Sequence, residues 1–190
     1  MVLSNKPLLD GELVRLRSYT KADHNVLNPA YSTVEILRLA SGRPAYPNPD
    51  SPASWEWIEG MRKNKRAFPF AIETLADQTL IGDIDLKFVD FGMRHAELGV
   101  GIADPANRGK GYGTDAIKVI LGYGFRELNL NRIQLMVNSY NEPAVHVYQK
   151  LGFTLEATLR ENIYHDLKYY DVYIMGMLEP EWRSRYWDVE

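Results

Sequence analysis

The stretch Asn107–Thr114, NRGKGYGT, sets three alternate glycines (Gly109, Gly111, Gly113) between two basic residues and a threonine. Glycine gives up more conformational freedom on folding than any other residue. Three in five positions therefore mark a backbone that bends unusually or approaches something closely. Just upstream, HAELGVGI (His95–Ile102) reads as a strand. Just downstream, Ile117, Ile120, Leu121, Phe125 and Leu128 recur at helical spacing and give Thr114–Leu128 one buried face. Strand, glycine turn and helix start together form an anion site, because backbone N–H groups converge there at the positive end of the helix dipole. Two phosphate motifs fail the comparison. A Walker loop requires Lys then Ser or Thr after its last glycine, but Lys110 is followed by Gly111. The dinucleotide fingerprint requires Gly-x-Gly-x-x-Gly and an acidic residue about 20 positions on, where this chain reads RIQL.

Working outward, ELVRLRS (Glu12–Ser18) alternates as a strand, and TKAD (Thr20–Asp23) offers a capped helix start. That helix is expected to run until RPAYPNPDSP (Arg43–Pro52), whose prolines break it. SWEWIEGMRKNK (Ser54–Lys65) reads as a second helix. FPFAIET and LIGDIDLKF alternate around LADQT as a hairpin. RIQLMV (Arg132–Val137) is the next strand. NEPAVHVYQKLG follows as a short helix, with Asn141 as N-cap, Pro143 in its first turn and Gly152 past its end. FTLEATL and KYYDVYIMGML close the order βααβββαβαββ. This is an α/β (α+β mixed) single domain over residues 1–190, with helices on both faces of a mixed sheet and a right-handed crossover from His95 to Val137.

The 190 residues are 45% hydrophobic and 25% charged, as in a globular protein. No apolar run reaches the roughly 20 residues of a membrane span, and the start lacks a signal-peptide layout, so a cytoplasmic location is expected. Without cysteine there is no disulfide, thiolate metal site or cysteine nucleophile, and no metal centre is read from the sequence. A net charge of −3 without basic runs argues against nucleic acid and suits a cationic partner.

Arg108-x-x-Gly111-x-Gly113 after a strand resembles the acyl-coenzyme A signature of the GNAT superfamily of N-acetyltransferases. NEPAVHVYQKLGF (Asn141–Phe153) fits that family's Asn-x-x-Ala-x-x-x-Tyr-x-Lys-x-Gly-Phe at every position. The resemblance covers about Leu80 to Leu178. It is strongest to the branch of ribosomal-protein N-terminal acetyltransferases and spermidine acetyltransferases, through RHAELGVGIADPANRGKGYGTDAI and YGFRELNLNRIQLMV.

The resemblance implies a mostly antiparallel twisted sheet with a central splayed parallel pair. It also implies acetyl-CoA as donor and an amine acceptor, a protein N-terminus first and a polyamine second. Arg108, Gly109, Lys110, Gly111, Tyr112, Gly113 and Thr114 would cradle the pyrophosphate. Leu98, Val100 and Ile102, in a strand thinned by Gly99 and Gly101, would lend backbone to the pantetheine, and Asn141 would assist. Tyr148 stands where the family places its acid, although Ala144, Tyr148 and Leu151 also read as a core stripe. Glu97 is the candidate base, with Asp83, Asp85 and His95 as alternatives. Tyr46, Tyr164 and Glu161 are placed in irregular segments that would meet the acceptor. The tail, EWRSRYWDVE, is expected to pack its tryptophans on the domain or on a second copy, as in a homodimer. The competing reading is a non-catalytic acyl-CoA-binding domain.

Overall fold

The computed structural model describes residues 7–41 and 53–187. Seven strands form one sheet: β1 (Val14–Ser18), β2 (Ala67–Thr74), β3 (Leu80–Asp90), β4 (His95–Ile102), β5 (Arg132–Asn138), β6 (Thr154–His165) and β7 (Lys168–Leu178). Their order across the sheet is β1-β2-β3-β4-β5-β7-β6. Every neighbouring pair is antiparallel except β4–β5, which the α4 crossover (Tyr112–Arg126) joins in parallel. The rest of the helical set is α1 (Lys21–Tyr31), α2 (Val34–Ser41), α3 (Ala53–Lys63), α5 (Glu142–Leu151) and α6 (Glu179–Tyr186).

Period-two alternation divides the sheet into two faces with separate cores. Leu86, Leu98, Ile133, Leu135 and Met175 pack on the back against Ile117, Ile120, Leu121 and Phe125 of α4 and Leu151 of α5. On the front, Tyr19, Leu27, Ala71 and Ala103 pack with Tyr31, Trp55 and Ile58 of α1 and α3. Asp115, in the first turn of α4, is buried and accepts the backbone N–H groups of Leu13 (2.7 Å) and Val14 (3.1 Å). This fastens the edge strand β1 to the central helix across about a hundred residues of chain.

Four expectations need correction. The helix after Thr20 does not continue to the prolines: α1 stops at Tyr31 and α2 begins at Val34. Ser32 returns its N–H and its hydroxyl to Asn28 O, and the Thr33 hydroxyl accepts Ile36 N–H, so the two residues close one helix and open the next. RENIYHDLKYY is not an irregular loop. β6 continues to His165 around a bulge at Glu161 (φ +52°), and Asp166 and Leu167, both at positive φ, make a tight hairpin turn. The chain also ends its described part in α6 rather than in a strand. There Pro180 occupies the first turn, Glu181 accepts Leu178 N–H, and Trp182 is buried against Phe125. Finally, Asn141 makes no side-chain capping bond; with φ −87° and ψ 59° it lacks the extended cap geometry, and only its carbonyl serves the helix.

Replacing Asp115 with Ala strands two backbone donors, one of them on the buried Val14. The expected loss is about 2–4 kcal/mol. A urea denaturation midpoint that falls with an unchanged slope would register it.

Candidate active site

Parallel pairing between β4 and β5 covers only His95/Arg132, Ala96/Ile133 and Glu97/Gln134. Both strands continue, to Ile102 and Asn138, without meeting again. Ala103 N–H donates to Ile81 O on β3, and Gly101 O lies against Gly82, so the odd residues of β4 turn their backbone toward β3. By alternation, Leu98, Val100 and Ile102 turn theirs into the gap. Their side chains belong to the back core, so what they offer the gap is main chain. Ile102 O already accepts Arg108 Nε at 3.3 Å; the strand edge at Leu98 and Val100 is left open to a peptide-like ligand.

The glycine turn leads directly from this edge. Gly109 and Gly111 have φ +73° and +88°, where a side chain is strained, and Gly111 is the N-cap of α4 with no side chain to cap it. The N–H groups of Tyr112, Gly113 and Thr114 therefore begin the helix without intrahelical acceptors. A Cβ at Gly109 would meet nothing within 4 Å, and one at Gly113 only Ile102 Cγ1 at 3.9 Å. The space before these amides is thus one that side chains would fill, which fits a diphosphate. Arg108 departs from expectation. Its guanidinium folds back on Ile102 O and pairs with Glu35 (3.0 Å), while Lys110 stays exposed at the turn. Tyr112 packs against the back core and Thr114 is half-buried.

On α5, Tyr148 is half-buried, edge-on to Phe153 (5.8 Å between ring centres), and its hydroxyl has no hydrogen-bond partner among the described residues. Burial pushes the phenol up to about 12. The Asn141 carboxamide, free of capping duty, stands at the start of the same helix.

The front face beside β4 is acidic. Asp83, Asp85 and Lys87 on β3 stand opposite Gly101, Gly99 and Glu97. Lys87 pairs with Glu97 at 3.3 Å. Asp85 lies over Gly99, where any Cβ would overlap its carboxylate, and its Oδ1 is shut from solvent with no partner. Desolvation pushes Asp83 up to about 6, against a hydrogen bond from Tyr31. It pushes Asp85 up to about 7, against the attraction of Lys87. His95 sits at the closed, paired end of β4, opposite Asp90 and Arg132, away from the gap.

Helix α2 is tied on both sides of that gap: by Glu35 to Arg108, and by Asn138 and Tyr140, which donate to the carbonyls of Arg38 and Leu39. Tyr164 is exposed and rings against Tyr169, and Glu161 gives its N–H to Asp171, so both belong to the hairpin surface. Tyr46 lies outside the described residues. Sequence reading missed Tyr31, Lys87 and the α2 ties, which depend on register and on distant helices; no spacing rule signals them.

Comparison with known proteins agrees with this geometry. Residues 14–154 match the model of the acetyltransferase (GNAT) domain. Human alpha/beta-tubulin-N-acetyltransferase 9 is 30% identical over 170 residues, covering 83% of this chain and 80% of that protein. Spermidine N(1)-acetyltransferase of Vibrio cholerae is 36% identical over 116 residues, 61% of this chain and 66% of that one. The crystal structure of spermidine N-acetyltransferase from Vibrio cholerae in complex with CoA and spermine gives a TM-score of 0.79 at 27% identity, covering 89% of this chain and 97% of that chain. A parallel pair that parts halfway, an amide-lined glycine turn at its end and a family match through most of the sheet lead to one conclusion: this chain belongs to the GNAT family of N-acetyltransferases, enzymes that use acetyl-CoA.

Proposed function

We propose that the protein acetylates a primary amine on a polycationic small molecule of the polyamine kind, by direct attack with donor and acceptor bound together. The observation that carries this reading is the row Asp83, Asp85 and Glu97, three carboxyls against the single Lys87, beside the open edge of β4. An ammonium group is drawn to such a site and can leave its proton there. The spermidine acetyltransferase relatives support the same class of acceptor.

In this reading the amides of Tyr112, Gly113 and Thr114 hold the phosphates of the donor, and Leu98 and Val100 hold its arm by strand addition. Asn141 adds a carboxamide, and Lys110 the exposed positive charge that Arg108, engaged by Glu35, does not supply. Acetyl-CoA brings an activated acyl carbon and a sulfur leaving group. The N–H of Val100, the first beyond the last β4–β5 rung, is placed to stabilise negative charge developing on the acyl oxygen.

The base is assigned to Asp85 rather than to Glu97, the first candidate from sequence. Glu97 is engaged by Lys87 at 3.3 Å, whereas Asp85, raised to about 7 by burial, gains and loses a proton near neutral pH. Tyr148 keeps its proton throughout this range. A phenol pushed up to about 12 is a weak acid toward a thiolate, so Tyr148 acts by hydrogen-bonding the departing sulfur.

Three measurements test these assignments. Release of the coenzyme thiol should be fastest with polyamines among a panel of amines; binding of the coenzyme without release for any amine would refute the reading. Tyr148→Phe should lower kcat by about 10²–10³ with little change in coenzyme affinity, the loss typical of one preorganised donor.

Asp85→Asn should abolish the acidic limb of kcat/KM near neutral pH. Its effect on stability follows from linkage. A carboxyl whose proton affinity is raised by folding stabilises below its unfolded value and loses that stability as pH climbs through the folded one. The amide variant should therefore match the parent near pH 4 and exceed it at pH 8, by on the order of 1–3 kcal/mol in urea denaturation.

A further inference from the structure

Tyr31, the last residue of α1, reaches across the sheet's front face to a point between β3 and β4. Its hydroxyl donates to Asp83 Oδ1, lies 3.0 Å from Gly101 O and accepts Asp83 N–H at 3.2 Å. The fit is tight, since a Cβ on Gly101 would fall 2.9 Å from that oxygen. Burial and the neighbouring Asp83 carboxylate drive the phenol upward, so it remains protonated. Two carboxyls thus lie on one strand face, two residues apart, with unequal company. Asp83 receives a phenolic hydrogen. Asp85 Oδ1 receives none.

We infer that Tyr31 is a positioning residue that decides which of these two carboxyls carries the proton: by giving its single hydrogen to Asp83 it keeps Asp83 the anion and reserves the proton for Asp85. The inference rests on the assignment of Asp85 as base. A hydrogen bond to the charged form favours that form, and an anion beside Asp85 discourages a second negative charge there. The other groups facing the pair are Lys87 on β3, Glu97 on β4, and Tyr19 from the segment leading into α1. Lys87 attracts both carboxylates and Glu97 acts on Asp85 alone, so neither supplies the hydrogen that Tyr31 gives Asp83. When Asp83 is protonated from solvent, its own O–H turns to the phenol oxygen and the phenolic hydrogen turns to Gly101 O. The bond from the phenol to the carboxylate thus exists only while Asp83 is the anion, and protonation of Asp83 exchanges it for a weaker arrangement.

The test is a carboxyl-carbon NMR titration of the full chain labelled at aspartate, without substrates, with Asp83→Asn and Asp85→Asn identifying the two resonances. In Tyr31→Phe the Asp83 midpoint should rise by about one pH unit, as expected for a lost hydrogen bond to the charged form, while the Asp85 midpoint falls. The acidic limb of kcat/KM should move down with Asp85. Shifts of opposite sign are not the mark of a loosened structure. An unmoved Asp83 midpoint, or both midpoints moving the same way, overturns the inference. If Asp85 moves and the rate profile does not, the failure lies with Asp85 as base and not with Tyr31. Asp83→Asn, which keeps Tyr31 and an acceptor for its hydrogen, provides the second check: the Asp85 midpoint must fall, and an unchanged one also overturns the inference.

Discussion

The site depends on where β4 and β5 stop pairing. Three registered pairs hold the strands together, and beyond Glu97 and Gln134 the ladder ends while both strands run on. A backbone edge in the middle of a sheet is ordinarily closed by its neighbour, because unpaired N–H and C=O groups are costly to bury. Here α4 packs beneath and α2 is tied across the opening, at Arg108 on one side and at Asn138 and Tyr140 on the other. The strands are held apart from outside, and the unpaired groups line an open gap.

The two faces of β4 divide the labour. Leu98, Val100 and Ile102 send side chains to the back core and main chain to the gap. Glu97, Gly99 and Gly101 face the front, where two missing side chains admit Asp85 and the Tyr31 hydroxyl. One eight-residue strand therefore lines the gap with its backbone and frames the Asp83 and Asp85 carboxyls with its bare positions.

Much of this was legible in the sequence because it rests on local rules. The glycines at 109 and 111, the helical stripe of α4, and the Pro143 and Gly152 that bracket α5 each follow from backbone chemistry within a few residues. What stayed hidden rests on pairings between distant segments. Lys87 meets Glu97 only through the register of β3 on β4, and the proposed choice of Asp85 over Glu97 as base turns on that contact. Tyr31 is 52 residues from Asp83. The break at Ser32 and Thr33 carries neither glycine nor a following proline, so nothing in the spacing separates α1 from α2. In α6, Pro180 and the Glu179–Arg183 pair are local signs of a helix, whereas the burial of Trp182 depends on Phe125 far away in the chain.

The parted strands also make occupancy and persistence the same quantity. A molecule that completes the rungs left open at Leu98 and Val100 binds the folded chain and not the unfolded one. It shifts the folding equilibrium by about 2.7 kcal/mol at a hundredfold excess over its dissociation constant. In the proposed binding mode that molecule is the acyl donor, and its supply sets part of the lifetime of the protein against heat and proteases. Depletion of that metabolite would thin the population of the enzyme as well as slow its turnover.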